Sequence, residues 1–316
     1  MTQTKKQRIL QIGRLLPQLE SRLAEHFDVH LLASEADPAA FLAAHGAGFE
    51  GVVTSAAVGI DNATLDALPG VRVISSFGVG LDRIDLPHAA ARGIAVGYTP
   101  DVLNDCVADL AFTLLLDVAR GASAADRFVR RGDWPRGRFP LGRKVSGGRL
   151  GIVGLGRIGR TIAERGTGFH LDTRYHSRRP VADAPWQYEP SLIELARWAD
   201  FLVVITAGGA GTRHLIDAEV LDALGPRGFI VNVARGSVID EAALVRALQE
   251  KRIAGAGLDV FEDEPHVPEA LFALDNVVLL PHIASGTHET RQAMADLTFD
   301  NLQAFFAEGR LKAAAG

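Results

Sequence analysis

Arg149-Leu150-Gly151-Ile152-Val153-Gly154-Leu155-Gly156-Arg157-Ile158-Gly159 sets an apolar strand, a glycine-rich turn and a helix start in immediate succession. Arg149–Val153 reads as a buried strand, and residues 161–165 continue a helical pattern beyond the turn. Each glycine has its own physical reason. Gly154 permits the tight turn, Gly156 lets the backbone approach a pyrophosphate, and Gly159 allows close helix–strand contact. The unsatisfied N–H groups of the helix start would donate to that pyrophosphate. A bare GxGxxG in a chain with 33 glycines carries little weight, and a purely structural turn competes with it. The strand before and the helix after favour a dinucleotide site.

The next strand, residues 170–175, runs into His176-Ser177-Arg178-Arg179. An NAD site usually carries an Asp or Glu there to hold the ribose hydroxyls. None is present, and a small polar residue followed by two arginines suits the 2'-phosphate of NADP. Ser177 can donate a hydrogen bond, while Arg178 and Arg179 offer charge-assisted contacts. The competing reading is a solvated basic turn. The pattern predicts preference for NADP (NADPH) with NAD as a weaker alternative.

The totals set the frame. The 316 residues allow a large core and two domains. A hydrophobic fraction of 47% with 22% charged residues describes a folded protein. The formal charge of -5 and the lack of a long basic block speak against nucleic acid as a partner. No apolar run reaches membrane-spanning length, so no membrane partner is expected. Cys106 is the single cysteine, which excludes an intrachain disulfide, and no secretory pattern opens the sequence; a cytoplasmic location is expected. Neither Cys106 nor the histidines show metal-ligand spacing, so no metal is expected.

Strand and helix signals alternate along residues 8–97, describing a small α/β unit. Gly78-Val79-Gly80 follows a strand directly, where successive N–H groups would form an anion-binding nest or an ordinary tight turn. Residues 104–119 read as a helix apolar around most of its circumference, continuing through residues 120–131 until Gly132 and Pro135 stop it. Further strand–helix repeats up to residue 280 predict a doubly wound, largely parallel sheet. A long helix over residues 289–308 cannot form a core alone and is expected to return to the first unit, and residues 310–316 are expected to fray.

Nicotinamide chemistry on a 2-oxo acid needs a cation for the carboxylate and a proton donor for the developing alkoxide. Arg235 follows a predicted strand end, where a guanidinium would grip a carboxylate and orient a ketone; an exposed arginine in a helix-entry loop is the alternative. His282 has the same address after the last strand, and Glu264 is a plausible acid partner for it. Their separation in sequence says nothing about contact. Asp259, another strand-end acid, would serve the nicotinamide side of the cofactor, cap a helix or adjust the electrostatics. His214, Glu262, His266 and His288 compete as acid–base candidates.

The fragments SFGVGLDRIDL (76–86), TPDVLNDCVADLAFTLLL (99–116), LGIVGLGRIG (150–159), NVARGSVIDEAAL (232–244), GAGLDVFEDEP (255–265) and LLPHIASGTHET (279–290) together resemble the D-isomer-specific 2-hydroxy acid dehydrogenase family. The resemblance spans almost the whole chain and lies nearest to the glyoxylate/hydroxypyruvate reductases and the plant-type hydroxyphenylpyruvate reductases. It implies two Rossmann-like α/β domains: a doubly wound parallel-sheet cofactor domain, residues 100–283, inserted into a flavodoxin-like substrate domain, residues 1–99 with 284–316.

By that resemblance Arg235 is the substrate-binding and catalytic arginine, Glu264 the histidine-pairing glutamate and His282 the general acid/base. Val53, Val79, Gly80 and Trp134 become substrate contacts, the backbone at Val79 and Gly80 gripping the carboxylate. Cofactor contacts extend from the glycine motif (Gly154, Leu155, Gly156, Arg157, Ile158, Gly159) and Ser177, Arg178 and Arg179 to Val107, Thr206 and Asp259. Val233, Ala234, Arg235, His282 and Ser285 complete that set. The implied reaction is reduction of a small 2-oxo acid, glyoxylate or hydroxypyruvate, with His282 donating the proton and domain closure excluding water. Hydroxyphenylpyruvate reduction is the alternative, and a dinucleotide-sensing interaction protein a more remote one. The family's homodimers imply a homodimer here, with Trp134 and residues 136–141 in the dimer-forming region; a hydrophobic anchor within the subunit is the competing role for Trp134.

Overall fold

The computed structural model describes residues 6–315. They divide into two compact units, one comprising the chain up to Leu103 together with the stretch from Thr287 onward, the other Asn104–Gly286. The joins lie a few residues beyond those expected, because Asn104 opens a long helix and Thr287 caps the last one.

The first unit carries β1 (Arg8–Gln11), α1 (Pro17–His26), β2 (Asp28–Leu31), α2 (Pro38–His45), β3 (Gly51–Ser55), α3 (Asn62–Asp66), β4 (Val73–Phe77), α4 (Leu86–Ala91) and β5 (Ala95–Gly97). Its strands form one parallel sheet in the order β2-β1-β3-β4-β5, the flavodoxin-like arrangement. β4 is buried along its whole length, and a strand covered on both faces reads as an apolar run rather than an alternation. Three helix starts are capped by aspartates: Asp37, Asp61 and Asp85 each accept a backbone N–H from the first turn. Asp85 followed by Pro87 thus builds α4, a helix the sequence reading did not contain.

The second unit begins with α5 (Asn104–Arg120) and α6 (Ala122–Arg130). These are two helices rather than one, because Gly121 stands at φ +63 and the Asp117 carboxylate takes the Ser123 N–H at 2.7 Å. There follow β6 (Arg149–Val153), α7 (Arg157–Gly168), β7 (Asp172–His176), the short edge strand β8 (Gln187–Tyr188), α8 (Leu192–Trp198), β9 (Phe201–Val204), α9 (Ala218–Leu224), β10 (Phe229–Asn232), α10 (Glu241–Gln249), β11 (Gly255–Leu258) and β12 (Val277–Leu279). The seven strands are parallel in the order β12-β11-β10-β9-β6-β7-β8. The order reverses between β6 and β9, and ligands of such sheets bind outside the carboxyl ends of the strands at that switch point.

The last helix, α11 (His288–Glu308), belongs to the first unit and packs on β4 and α1. Phe299 and Leu302 are fully buried there, and the Ser75 hydroxyl donates to the Thr298 carbonyl at 2.8 Å. Residues 310–315 do not fray as expected. Ala313 accepts from the Tyr98 N–H, Ala315 donates to Val96, and Ala314 bridges Gly97, so the tail covers the edge of β5. Asn301 locks it, donating to the Tyr98 carbonyl at 3.1 Å and accepting from the Ala313 N–H at 2.9 Å. Gly316 lies outside the described residues.

Candidate active site

β6 leaves the sheet through Gly154 at φ +102, backbone closed to other side chains. A Cβ on Gly159 would lie 2.1 Å from the Gly154 carbonyl oxygen, so α7 can sit this close to the turn only with glycine there. Around Gly156 no heavy atom lies within 4 Å of such a Cβ, and no side chain caps α7. These are the conditions a pyrophosphate needs: room for its oxygens and N–H donors at a helix start. Leu155 is buried, whereas Arg157 at the head of α7 is exposed.

β7, the neighbour of β6, ends in the basic turn. Arg178 and Arg179 are exposed, and the Ser177 hydroxyl donates to the Arg179 carbonyl at 2.6 Å, shaping the turn that presents them. Tyr188 on β8 donates to the Ser177 carbonyl at 3.2 Å and fixes it from the other side. The turn beside the glycine motif thus presents two exposed guanidinium groups.

The three residues proposed for chemistry all lie in loops beyond β10, β11 and β12. Asn232, at the end of β10, donates to the Arg235 carbonyl at 3.0 Å and accepts the Ala234 N–H at 3.0 Å, fixing the loop that carries the half-buried guanidinium. The His282 imidazole meets Glu264 with Nδ1 to Oε2 at 2.7 Å. Glu264 uses its other oxygen to accept the Phe261 N–H at 3.1 Å. Burial alone would push the Glu264 carboxyl up. The His282 hydrogen bond and charge, the Phe261 N–H and the Arg235 charge outweigh it and hold the group below its ordinary value. Glu264 is thus kept ionised beside the imidazole.

Asp259 supports His282 from below. Fully buried at the end of β11, it takes the Ile283 and Ala284 N–H groups at 2.7 and 2.9 Å, while its own carbonyl accepts the His282 N–H at 2.9 Å. Burial raises its carboxyl above the ordinary value despite those donors and the His282 charge. Asp259 therefore fixes the loop of 282–284. Neither Asn232 nor this backbone role of Asp259 was among the sequence expectations, although a polar residue closing an apolar strand end was a visible signal.

Among the other expected contacts, Val107 on α5 and Val233 and Ala234 after β10 are buried, and Thr206 follows β9 with its backbone 2.8 Å from where a Gly154 Cβ would lie. Ser285 is half-buried two residues after Ile283. Of the competing groups, His214 pairs with Glu262 at 3.2 Å and His266 with Asp263 at 3.4 Å, and His288 opens α11 in the first unit. Trp134 is 68% exposed, so it is no buried anchor of its own subunit. In the first unit Val53 is buried within β3, and Gly78, at φ +136, turns the chain out of β4 into Val79 and Gly80 while its N–H donates to the Thr99 hydroxyl at 3.1 Å. Among the described residues no group of His, Cys, Asp and Glu could hold a metal ion, and no helix is long and apolar enough to cross a membrane.

A Rossmann-type sheet with a glycine-rich turn at its switch point, and a carboxylate-held histidine at its strand ends, fits a nicotinamide-dependent oxidoreductase. Residues 112–284 match the family model described as D-isomer specific 2-hydroxyacid dehydrogenase, NAD binding domain. The chain is 46% identical to glyoxylate/hydroxypyruvate reductase A of Arabidopsis thaliana and 47% identical to hydroxyphenylpyruvate reductase of Plectranthus scutellarioides, in both cases over 92% of this chain and 92% of the relative. The crystal structure of an NADPH-dependent glyoxylate/hydroxypyruvate reductase from Sinorhizobium meliloti, in complex with NADP and malonate, superposes with a TM-score of 0.92 at 44% identity, covering 99% of this chain and 97% of that one. The chain belongs to the D-isomer-specific 2-hydroxyacid dehydrogenase family and is an enzyme of that class.

Proposed function

We propose that this enzyme is an NADPH-preferring reductase of small 2-oxo acids, with glyoxylate and hydroxypyruvate as substrates and the corresponding 2-hydroxy acids as products. The observation that carries the reading is the 2.7 Å contact between His282 Nδ1 and Glu264 at the strand ends that also bear Arg235. When bound, NADPH supplies the hydride that reduces the 2-oxo carbon. His282 holds a proton at Nε2, because Nδ1 is engaged by Glu264, and delivers it to the oxygen as charge develops there. Arg235 binds the carboxylate and polarises the carbonyl. Glu264 stabilises the charged imidazole and fixes its plane, and Asp259 holds the loop from which it projects.

The remaining assignments belong to the same reading. The backbone at Val79 and Gly80 grips the substrate carboxylate, and Val53 and Trp134 limit substrate size. The enzyme works as a homodimer in the cytoplasm, to which the single cysteine is suited.

A panel of 2-oxo acids assayed with NADPH and NADH tests substrate and coenzyme together. Glyoxylate and hydroxypyruvate are expected to give the highest kcat/KM with NADPH. Because a relative at 47% identity is a hydroxyphenylpyruvate reductase, a larger kcat/KM for that aromatic acid would replace the proposed substrate. His282→Ala is expected to lower kcat by about a hundredfold or more, in the range of a lost general acid. Unchanged turnover would remove His282 from the reaction.

A further inference from the structure

The Glu264 carboxylate hangs from a short loop, residues 261–264, and what holds that loop is a set of contacts outside the reacting groups. Glu241 stands in the first turn of α10, where an acidic residue ordinarily needs no explanation beyond the helix dipole. That helix start, however, is already capped by Asp240, which accepts the Ala243 N–H at 2.9 Å. Glu241 Oε1 instead accepts the N–H of Glu262 at 2.8 Å, across 21 positions of sequence. The adjoining N–H, of Phe261, donates to Glu264 itself. Two successive backbone donors of one loop are therefore held by two carboxylates, one from α10 and one from the site.

The same peptide is braced from a third direction. A Cβ on Gly236, the residue after Arg235, would lie 1.8 Å from the Phe261 carbonyl carbon and 2.3 Å from the Glu262 nitrogen. The arginine loop and the glutamate loop are thus in backbone contact, and only glycine fits between them. The Glu262 side chain, meanwhile, pairs with Arg213 and His214. Burial pushes the Glu241 carboxyl above its ordinary value, the Glu262 N–H opposes that, and the charges of Glu262, Asp263 and Glu264 add to the rise. Holding a carboxylate there is costly, so its hydrogen bond to the loop has to offset both burial and repulsion.

We propose that Glu241 is a positioning residue for the reaction: through the Phe261–Glu262 peptide it sets the Glu264 carboxylate against His282, with Gly236 keeping Arg235 in register with that pair. The inference rests on the reading of His282 as proton donor. Glu241 touches neither substrate nor cofactor in this scheme. Its effect passes through a backbone N–H, an acceptor role that glutamine can also fill.

The test uses the full-length enzyme with NADPH and glyoxylate. Glu241→Ala, Glu241→Gln and Gly236→Ala are compared with wild type, His282→Ala and Glu264→Gln by steady-state kinetics across pH and by the Nδ1–H proton resonance of His282. Thermal unfolding and NADPH affinity check the fold. Glu241→Ala is expected to lower kcat about tenfold with both KM values changed less than about twofold, and to distort the pH profile in the same sense as Glu264→Gln. It should also move the His282 resonance. Glu241→Gln should recover most of kcat and the wild-type resonance, and Gly236→Ala should reproduce the defect with Glu241 intact. A Glu241→Ala enzyme with wild-type kcat, pH profile and resonance overturns the proposal, as does Glu241→Gln as impaired as Glu241→Ala. If His282→Ala stays active, the proton-donor reading fails, yet the resonance still decides whether Glu241 positions the pair.

Discussion

His282 occupies φ +54, a left-handed backbone region that residues with a side chain adopt uncommonly and that local contacts must hold. Three contacts do so: its N–H on the Asp259 carbonyl, the Asp259 carboxylate under the next two residues, and its ring on Glu264. The Glu264 contact has a pH consequence. Its folded-state pKa is depressed, so its contribution to stability is present above the ordinary value of 4.5 and lost as pH falls through the lower folded value. Glu264→Gln is therefore expected to flatten the loss of thermal stability below pH 4.5, as read from unfolding midpoints at a series of acidic pH values. At the other end of the site, charge-neutral replacement of Arg178 and Arg179 together should weaken NADPH by about tenfold or more and NADH by less than about threefold, since two charge-assisted contacts are lost only where a 2'-phosphate exists. Titration of both coenzymes by nicotinamide fluorescence checks this, and equal losses would make the pair structural. Sequence alone could nominate Arg235, Glu264 and His282 because strand ends are the productive addresses of such sheets. It could not see Glu241, whose partner is a backbone N–H and whose place in a helix's first turn already has an ordinary cause.

Among the elements, the apolar strands were legible down to the three-residue β5 and β12, whereas α4, β8 and the order of the tail were not. β4, β9 and β10 are apolar over most of their length because both faces are covered, and the Asp37-Pro38 pair marks the start of α2. β8 has two residues and owes its existence to the edge of β7, not to its own pattern. The tail after α11 is the clearest case. Residues 310–315 have no periodicity, and their order comes from backbone pairing with β5 and from one buried amide, Asn301. Asn301→Ala would leave the Tyr98 carbonyl and the Ala313 N–H without their partner. A loss of about 2–3 kcal/mol is expected, measured as a lowered urea midpoint, because a buried group deprived of its hydrogen bond costs its full desolvation. A change below about 0.5 kcal/mol would mean that the tail contributes little to the first unit.

For the molecule as a whole, the exposed residues around the segment after α6 carry the proposed assembly. Trp134 is 68% exposed and Leu141 fully exposed, large apolar surfaces of the kind that association covers. Leu141→Asp is expected to shift the sedimentation coefficient from dimer toward monomer, while a Leu141→Met chain stays dimeric; an unchanged dimer in the aspartate variant would place the interface elsewhere. The placement of α11 has a different kind of consequence. Its buried face completes a sheet whose strands come from residues 8–97, so a ribosome must finish the entire inserted unit before the first-made strands receive their cover. During synthesis the nascent amino-terminal strands wait with an open hydrophobic flank, and any chain stalled before residue 288 would be a natural client for chaperones rather than a working enzyme.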